Sequence, residues 1–178
     1  METLLYKWIL LGSLMICHAH VTFTNLKCVM VDKSFGDIKC HIKAVNRTHK
    51  YIDLTARLFK GPADNISVNL KLMRYNHGYK PFFIELSYDA CKFLKNPKNP
   101  FVTSFYNTFR KNSNLNHTCP FDHDLIVDKL YTGNLENNFS NFPSLMNGDY
   151  AFFTEWFMNK IQRSYVNIYF RLTGSKEN

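Results

Sequence analysis

The 178-residue chain is long enough for one domain with a sizeable core and too short for two comfortable ones. With 46% hydrophobic and 16% aromatic residues it has ample apolar surface to offset the entropy of ordering, which excludes a disordered chain. A net charge of +8 would suit a nucleic-acid face, but the Lys and Arg residues never form a dense run, so a basic soluble surface is expected and nucleic acid is not an expected partner.

The chain opens with a short segment ending in a charge at Lys7, then a ten-residue apolar run, WILLGSLMIC, from Trp8 to Cys17, then His18 and the small residue Ala19. That run is too short to span a bilayer, which takes about 20 residues, and it has the form of a secretory signal. The expected organisation is a leader over 1–19 and a single domain over 20–178, exported and extracellular. Later segments lack the length and apolarity of a transmembrane span. Of five cysteines, Cys17 falls in the leader and four remain, an even number that in an exported chain implies two disulfides with three possible connectivities. N-x-S/T sequons place glycan acceptors at Asn46, Asn65, Asn116 and Asn138.

In chain order, residues 22–31 read as a strand, 32–37 as a turn and 38–45 as a second strand. Cys28 and Cys40 lie nearly symmetrically about that turn, so an antiparallel hairpin would pair them. Residues 51–59 read as a third strand, broken by Gly61-Pro62. Residues 66–74 alternate, with Val68, Leu70 and Leu72 on one face. After a turn at 76–79, residues 81–89 alternate again, turning Phe82, Ile84, Leu86 and Tyr88 inward.

Residues 99–110 read as the one good helix, with Asn99 as cap, Pro100 at its first position and a stripe of Phe101, Val102, Phe105 and Phe109. A polar loop over 113–123 holds Cys119, and a Cys91–Cys119 bond would staple the helix to the sheet. Residues 124–130 read as a strand or a short helical turn, and 131–147 as an Asn-rich loop. Two strands close the chain: 150–157, with Tyr150, Phe152, Thr154 and Trp156 on one face, and 165–172, with Val166, Ile168, Phe170 and Leu172. The expected fold class is mostly β, an immunoglobulin-like antiparallel β-sandwich with one short crossover helix.

Chemistry is harder to find. The sequence contains no G-x-S-x-G elbow, no Gly-rich phosphate loop and no H-E-x-x-H, and its 14 acids form no pair suited to acid/base work. The densest polar cluster, 116–124, offers His117, Cys119, His123, Asp122 and Asp124 to a metal. A disulfide-anchored loop accounts for it better, because export oxidises the cysteine. No catalytic residue, metal or cofactor is therefore expected. What stands out is the apolar surplus on strand faces, which either fills a core or lines a cavity for a hydrophobic small molecule or lipid. The ligand-binding residues expected on this reading are Leu70, Leu72, Phe82, Ile84, Leu86, Phe105, Phe109, Phe152, Trp156, Ile168 and Phe170.

Four stretches carry a resemblance: TNLKCVMVDKSFGDIKCHIKAVNR (24–47), NHGYKPFFIELSYDACKFLKN (76–96), SNLNHTCPFDHDLIVDKL (113–130) and GDYAFFTEWF (148–157). In these blocks the chain resembles a family of secreted insect proteins of unknown function whose better-known relatives are the CheB chemosensory proteins. That family is distantly similar in turn to the ML lipid-recognition superfamily. The resemblance implies a sandwich with a hydrophobic pocket between its sheets. It also implies a role in chemosensation, in the handling of pheromones or cuticular hydrocarbons. ML proteins often carry three or more disulfides, and this chain can form two. The alternative expectation is an extracellular interaction module acting on a surface receptor or channel.

Overall fold

The structure is a computed structural model that describes residues 20–46, 49–139 and 146–174, the side chains of 137–139 excepted. The expected leader, residues Arg47 and Thr48 of the first sequon, and the Asn138 side chain with Ser140 of the fourth lie outside the described residues.

Eight strands form: β1 (His20–Met30), β2 (Gly36–Ala44), β3 (Lys50–Leu58), β4 (Ile66–Tyr75), β5 (Tyr79–Asp89), β6 (Leu125–Tyr131), β7 (Gly148–Met158) and β8 (Ile161–Thr173). They make two antiparallel sheets, a five-stranded one in the order β1-β8-β7-β4-β5 and a three-stranded one in the order β2-β3-β6. The fold is an antiparallel β-sandwich. Period-two alternation drives it: in β4, Val68, Leu70 and Leu72 are buried while Ser67, Asn69 and Lys71 between them are half-buried. Register then aligns like with like. Met30, Ser164, Trp156, Val68 and Tyr88 lie in one row across the large sheet.

Three helices join the strands: α1 (Ala90–Lys95), α2 (Pro100–Phe109) and α3 (Thr132–Phe139). Only α2 was expected. Helix α1 is capped by Asp89, whose carboxylate accepts from the Lys92 N–H at 2.9 Å, and its single turn and a half is too short to show a helical period. Hydrogen bonds from the Lys92 N–H and then the Lys92 side chain hold the Asp89 carboxyl below its ordinary range. Helix α3 occupies part of the segment read as loop. Its Asn-rich sequence has weak intrinsic helicity, and tertiary contacts hold it. Thr132 and Leu135 are buried, and Glu136 Oε1 accepts from the Val21 N–H at 2.8 Å and meets His20 Nδ1 at 2.8 Å.

The expected β1–β2 hairpin does not form. β1 pairs with β8, placing Cys28 opposite Val166, and β2 pairs with β3, placing Cys40 opposite Leu54. Beyond β1 the Val31 and Asp32 N–H groups both donate to the Arg163 carbonyl, which keeps the chain on β8 until it crosses to the other sheet. Gly36 then starts β2 where a Cβ would stand 2.3 Å from the Arg57 carbonyl oxygen, a close approach that only glycine permits. The Cys28–Cys40 disulfide spans the two sheets, with Cα atoms 6.3 Å apart. The second bond, Cys91–Cys119, ties α1, just after β5, to the loop that leads into β6. Each bond therefore joins one margin of the large sheet to one margin of the small sheet.

The core is densest where β1, β7 and β8 meet α3. Val21, Phe23, Leu70, Leu72, Tyr150, Phe152 and Phe170 are each at most 2% exposed. The Phe152 and Phe170 rings stack at 5.3 Å, and Tyr150 stacks on Phe170 at 5.9 Å.

Candidate binding cavity

Toward the β7–β8 turn the sheets do not close on one another. They leave a cavity of about 170 Å³. Helix α2 supplies one wall. The Asn99 side chain accepts from the Phe101 and Val102 N–H groups at 3.0 and 3.1 Å and Pro100 sets the first turn. The resulting helix buries Val102 and turns Phe105, Tyr106 and Phe109 toward the cavity. The large sheet contributes Tyr88, Trp156, Met158, Val166 and Ile168, and the small sheet Ile38, Leu54, Leu58, Leu125 and Val127. The loop bonded to Cys91 closes the end with Leu115 and Phe121. The wall carries alanines, Ala56, Ala63 and Ala90, at places where longer side chains would reach into the space. A lining this apolar, around a space about the size of the ~150 Å³ hole known to take up benzene, favours an apolar guest over water.

The few polar groups on the wall are largely engaged. Trp156 Nε1 donates to Thr154 Oγ1 at 2.9 Å, and that hydroxyl donates to the Val166 carbonyl at 2.7 Å. The Tyr106 hydroxyl donates to the Leu115 carbonyl at 2.7 Å, and burial raises its pKa. Arg163 is the one charged residue among the described residues of the wall. Its guanidinium contacts the Asp32 carboxylate and lies 4.8 Å from the Phe35 ring centre. Asp32 is in turn held below the ordinary carboxyl range, first by the Ser34 hydroxyl and also by the Ser34 N–H and Arg163. Tyr88 is different: burial alone pushes its phenol far above the ordinary tyrosine range.

Of the residues expected to bind ligand, Phe105, Phe109, Trp156 and Ile168 line the cavity. Leu70, Leu72, Phe152 and Phe170 instead sit in the packed core, and Phe82, Ile84 and Leu86 lean on that core from β5. All face inward as their alternation requires, but they lie farther along the strands or on the margin, where α2 and α3 fill the space. The small-sheet residues and Phe121 carried no signal that separates a lining position from a packed one. Alternation along β5 turns Tyr88 inward but does not distinguish a place on the wall from one in the core.

The 116–124 cluster brings His117 Nε2 and His123 Nε2 to 2.9 Å, but Cys119 between them is bonded to Cys91. Among the described residues no group of three or more His, Cys, Asp or Glu could hold a metal ion. Asn46, Asn65 and Asn116 are exposed, and none of them borders the cavity. Among the described residues no helix is long and apolar enough to cross a membrane.

No curated protein matches this chain. Residues 68–152, from β4 into β7 and so including α1 and α2, match the profile of a family described as Protein of unknown function (DUF1091).

Proposed function

We propose that this protein is a secreted carrier for a hydrophobic small molecule or lipid, a binding protein and not an enzyme. The apolar cavity of about 170 Å³ between the sheets is the observation that carries the reading. Removing a ligand's apolar surface from water there would yield on the order of 25 cal/mol per Å². Export is supported by the form of residues 1–19 and by two disulfides, which persist in oxidising compartments. Glycans would then occupy exposed acceptors such as Asn65 and Asn116. The resemblance to the CheB proteins and, through them, to the ML superfamily supports a place in chemosensation.

The test is extraction. Protein secreted from a eukaryotic host is expected to release a stoichiometric apolar compound into organic solvent, and rebinding should shift the emission of Trp156 on the cavity wall. If nothing co-purifies and a panel of lipids and hydrocarbons leaves both the emission and the thermal midpoint unchanged, the carrier reading fails, since a ligand selective for the folded state must raise that midpoint. That outcome would favour the second reading, an interaction module for an acidic receptor or channel surface. Its supporting observation is the outer face of the small sheet, where the exposed Lys39, Lys43 and Arg57 lie among Asp37 and Asp53 with a small excess of positive charge.

A further inference from the structure

The chemical class of the ligand can be narrowed, on the reading that the cavity binds one, from the polar groups of its wall. Tyr88 is half-buried beside the cavity, and its ring packs edge-on against Phe93 at 5.8 Å. No described residue hydrogen-bonds its hydroxyl. The described side-chain polar atoms that are sealed away without a partner are Ser113 Oγ, Thr132 Oγ1 and Arg163 Nε. The Tyr88 hydroxyl is not among them, so it is not sealed in protein, and Tyr88 is one of the residues that line the cavity. A phenol that faces an apolar cavity without a partner forfeits a hydrogen bond that bulk water would have supplied, because such a cavity holds water poorly.

Charge on the wall points the same way. Arg163 is already matched by Asp32 and covered by Phe35, and its Nε is sealed from the cavity. A ligand carboxylate would find no free cation there and would be stranded in an apolar enclosure, at a cost that excludes it. Trp156, Thr154 and Tyr106 have spent their donors on protein acceptors. Ser164 is the one other wall residue whose hydroxyl no described residue bonds. It lies on β8, three strands from Tyr88 along the same row, roughly 14 Å at ordinary strand spacing.

We infer that the cavity takes an uncharged hydrophobe bearing one oxygen function, such as a long-chain alcohol, ketone or ester, and that the Tyr88 hydroxyl hydrogen-bonds that oxygen. A pure hydrocarbon would leave the phenol unpaired, and a fatty-acid anion would bring a charge that the wall cannot match.

The experiment compares octane, 1-octanol and octanoate at pH 8 on the wild-type protein, Tyr88→Phe and Ser164→Ala, with thermal midpoint and native mass spectrometry as readouts. Tyr88→Phe keeps the ring and its packing on Phe93, so the variant tests the hydroxyl alone. The ratio of 1-octanol to octane affinity should fall roughly two- to tenfold in Tyr88→Phe, the size of one net hydrogen bond, and stay unchanged in Ser164→Ala. Octanoate should bind the wild type at least about tenfold more weakly than 1-octanol. An unchanged ratio in Tyr88→Phe, or octanoate binding as tightly as 1-octanol, would overturn the inference while leaving the cavity reading intact. Failure of all three compounds to bind the wild type would remove both.

Discussion

At one end of the sandwich Phe23, Tyr150, Phe152 and Phe170 press against one another and exclude all space. At the other, Trp156, Tyr88, Phe109 and Phe121 stand around a cavity of about 170 Å³. The two ends use side chains of the same type and size, and β7 and β8 run through both, carrying Phe152 and Phe170 at one and Trp156 and Ile168 at the other. They differ in what faces those strands. The packed end has α3 closing over β1, with Leu135 inserted into the core. The hollow end faces the three-stranded sheet, helix α2 and a loop, where Ala56 and Ala63 hold the positions that could have filled the gap. Apolar content therefore does not decide whether a sandwich is solid. The short side chains and the reach of the covering elements do.

The contrast can be broken most forcefully by truncation. Phe152→Ala should cost about 3–5 kcal/mol of stability, as deletion of a large side chain from a rigid, filled site does. Phe109→Ala, half-buried and beside space already empty, should cost roughly half as much. Urea unfolding of both variants measures the difference, and equal losses would mean that the two ends are packed alike.

The disulfides come next. Loop-closure entropy gives about 3–4 kcal/mol for Cys91–Cys119, whose partners are 28 positions apart, and slightly less for Cys28–Cys40, 12 apart. Denaturation of the paired alanine variants checks that order. The Cys91/Cys119 variant should also lose ligand uptake, because that bond holds the loop bearing Phe121.

A substitution that fills the gap sharpens the comparison in the opposite direction. Ala56→Leu should raise stability by about 1 kcal/mol and abolish ligand binding together. Binding that survives would locate the guest elsewhere.

The smallest effect is a titration. Burial raises the pKa of Tyr88 in the folded state, so the unfolded chain loses this proton first as pH rises. Stability from this group is complete below the ordinary value of 10.0 and declines above it. The loss should be on the order of 1 kcal/mol by pH 11. Thermal midpoints from pH 8 to 11 should fall less steeply for Tyr88→Phe than for the wild type, and parallel curves would mean that Tyr88 is not enclosed.

Much of the scaffold could be read before folding. Alternation marks Val68, Leu70 and Leu72 as one face of β4 because a half-buried strand has a period of two, and Asn99-Pro100 marks the start of α2 because each fits a specific cap position. Other elements have no local cause. Helix α3, with Gly133 and three asparagines, exists because Leu135 and Glu136 find partners on β1 and in the core, which no window of sequence reports. Cys28 and Cys40 do bond, but by facing one another from different sheets and not by pairing across a hairpin. Proximity across a turn looks the same in both arrangements. The cavity was the least legible feature. Phe170 and Ile168 are neighbours of one inward face, and only the structure shows that Phe170 is packed and Ile168 borders a void.

Both covalent ties run along the flanks of the sandwich, one joining β1 to β2 and the other joining α1 to the loop before β6. The sheets are thus belted on both sides and cannot swing apart like the covers of a book while the bonds are intact. The width of the cavity is therefore set in part by covalent geometry. A reducing environment would unbuckle the belt and let the sheets part at the cavity before the packed end unfolded.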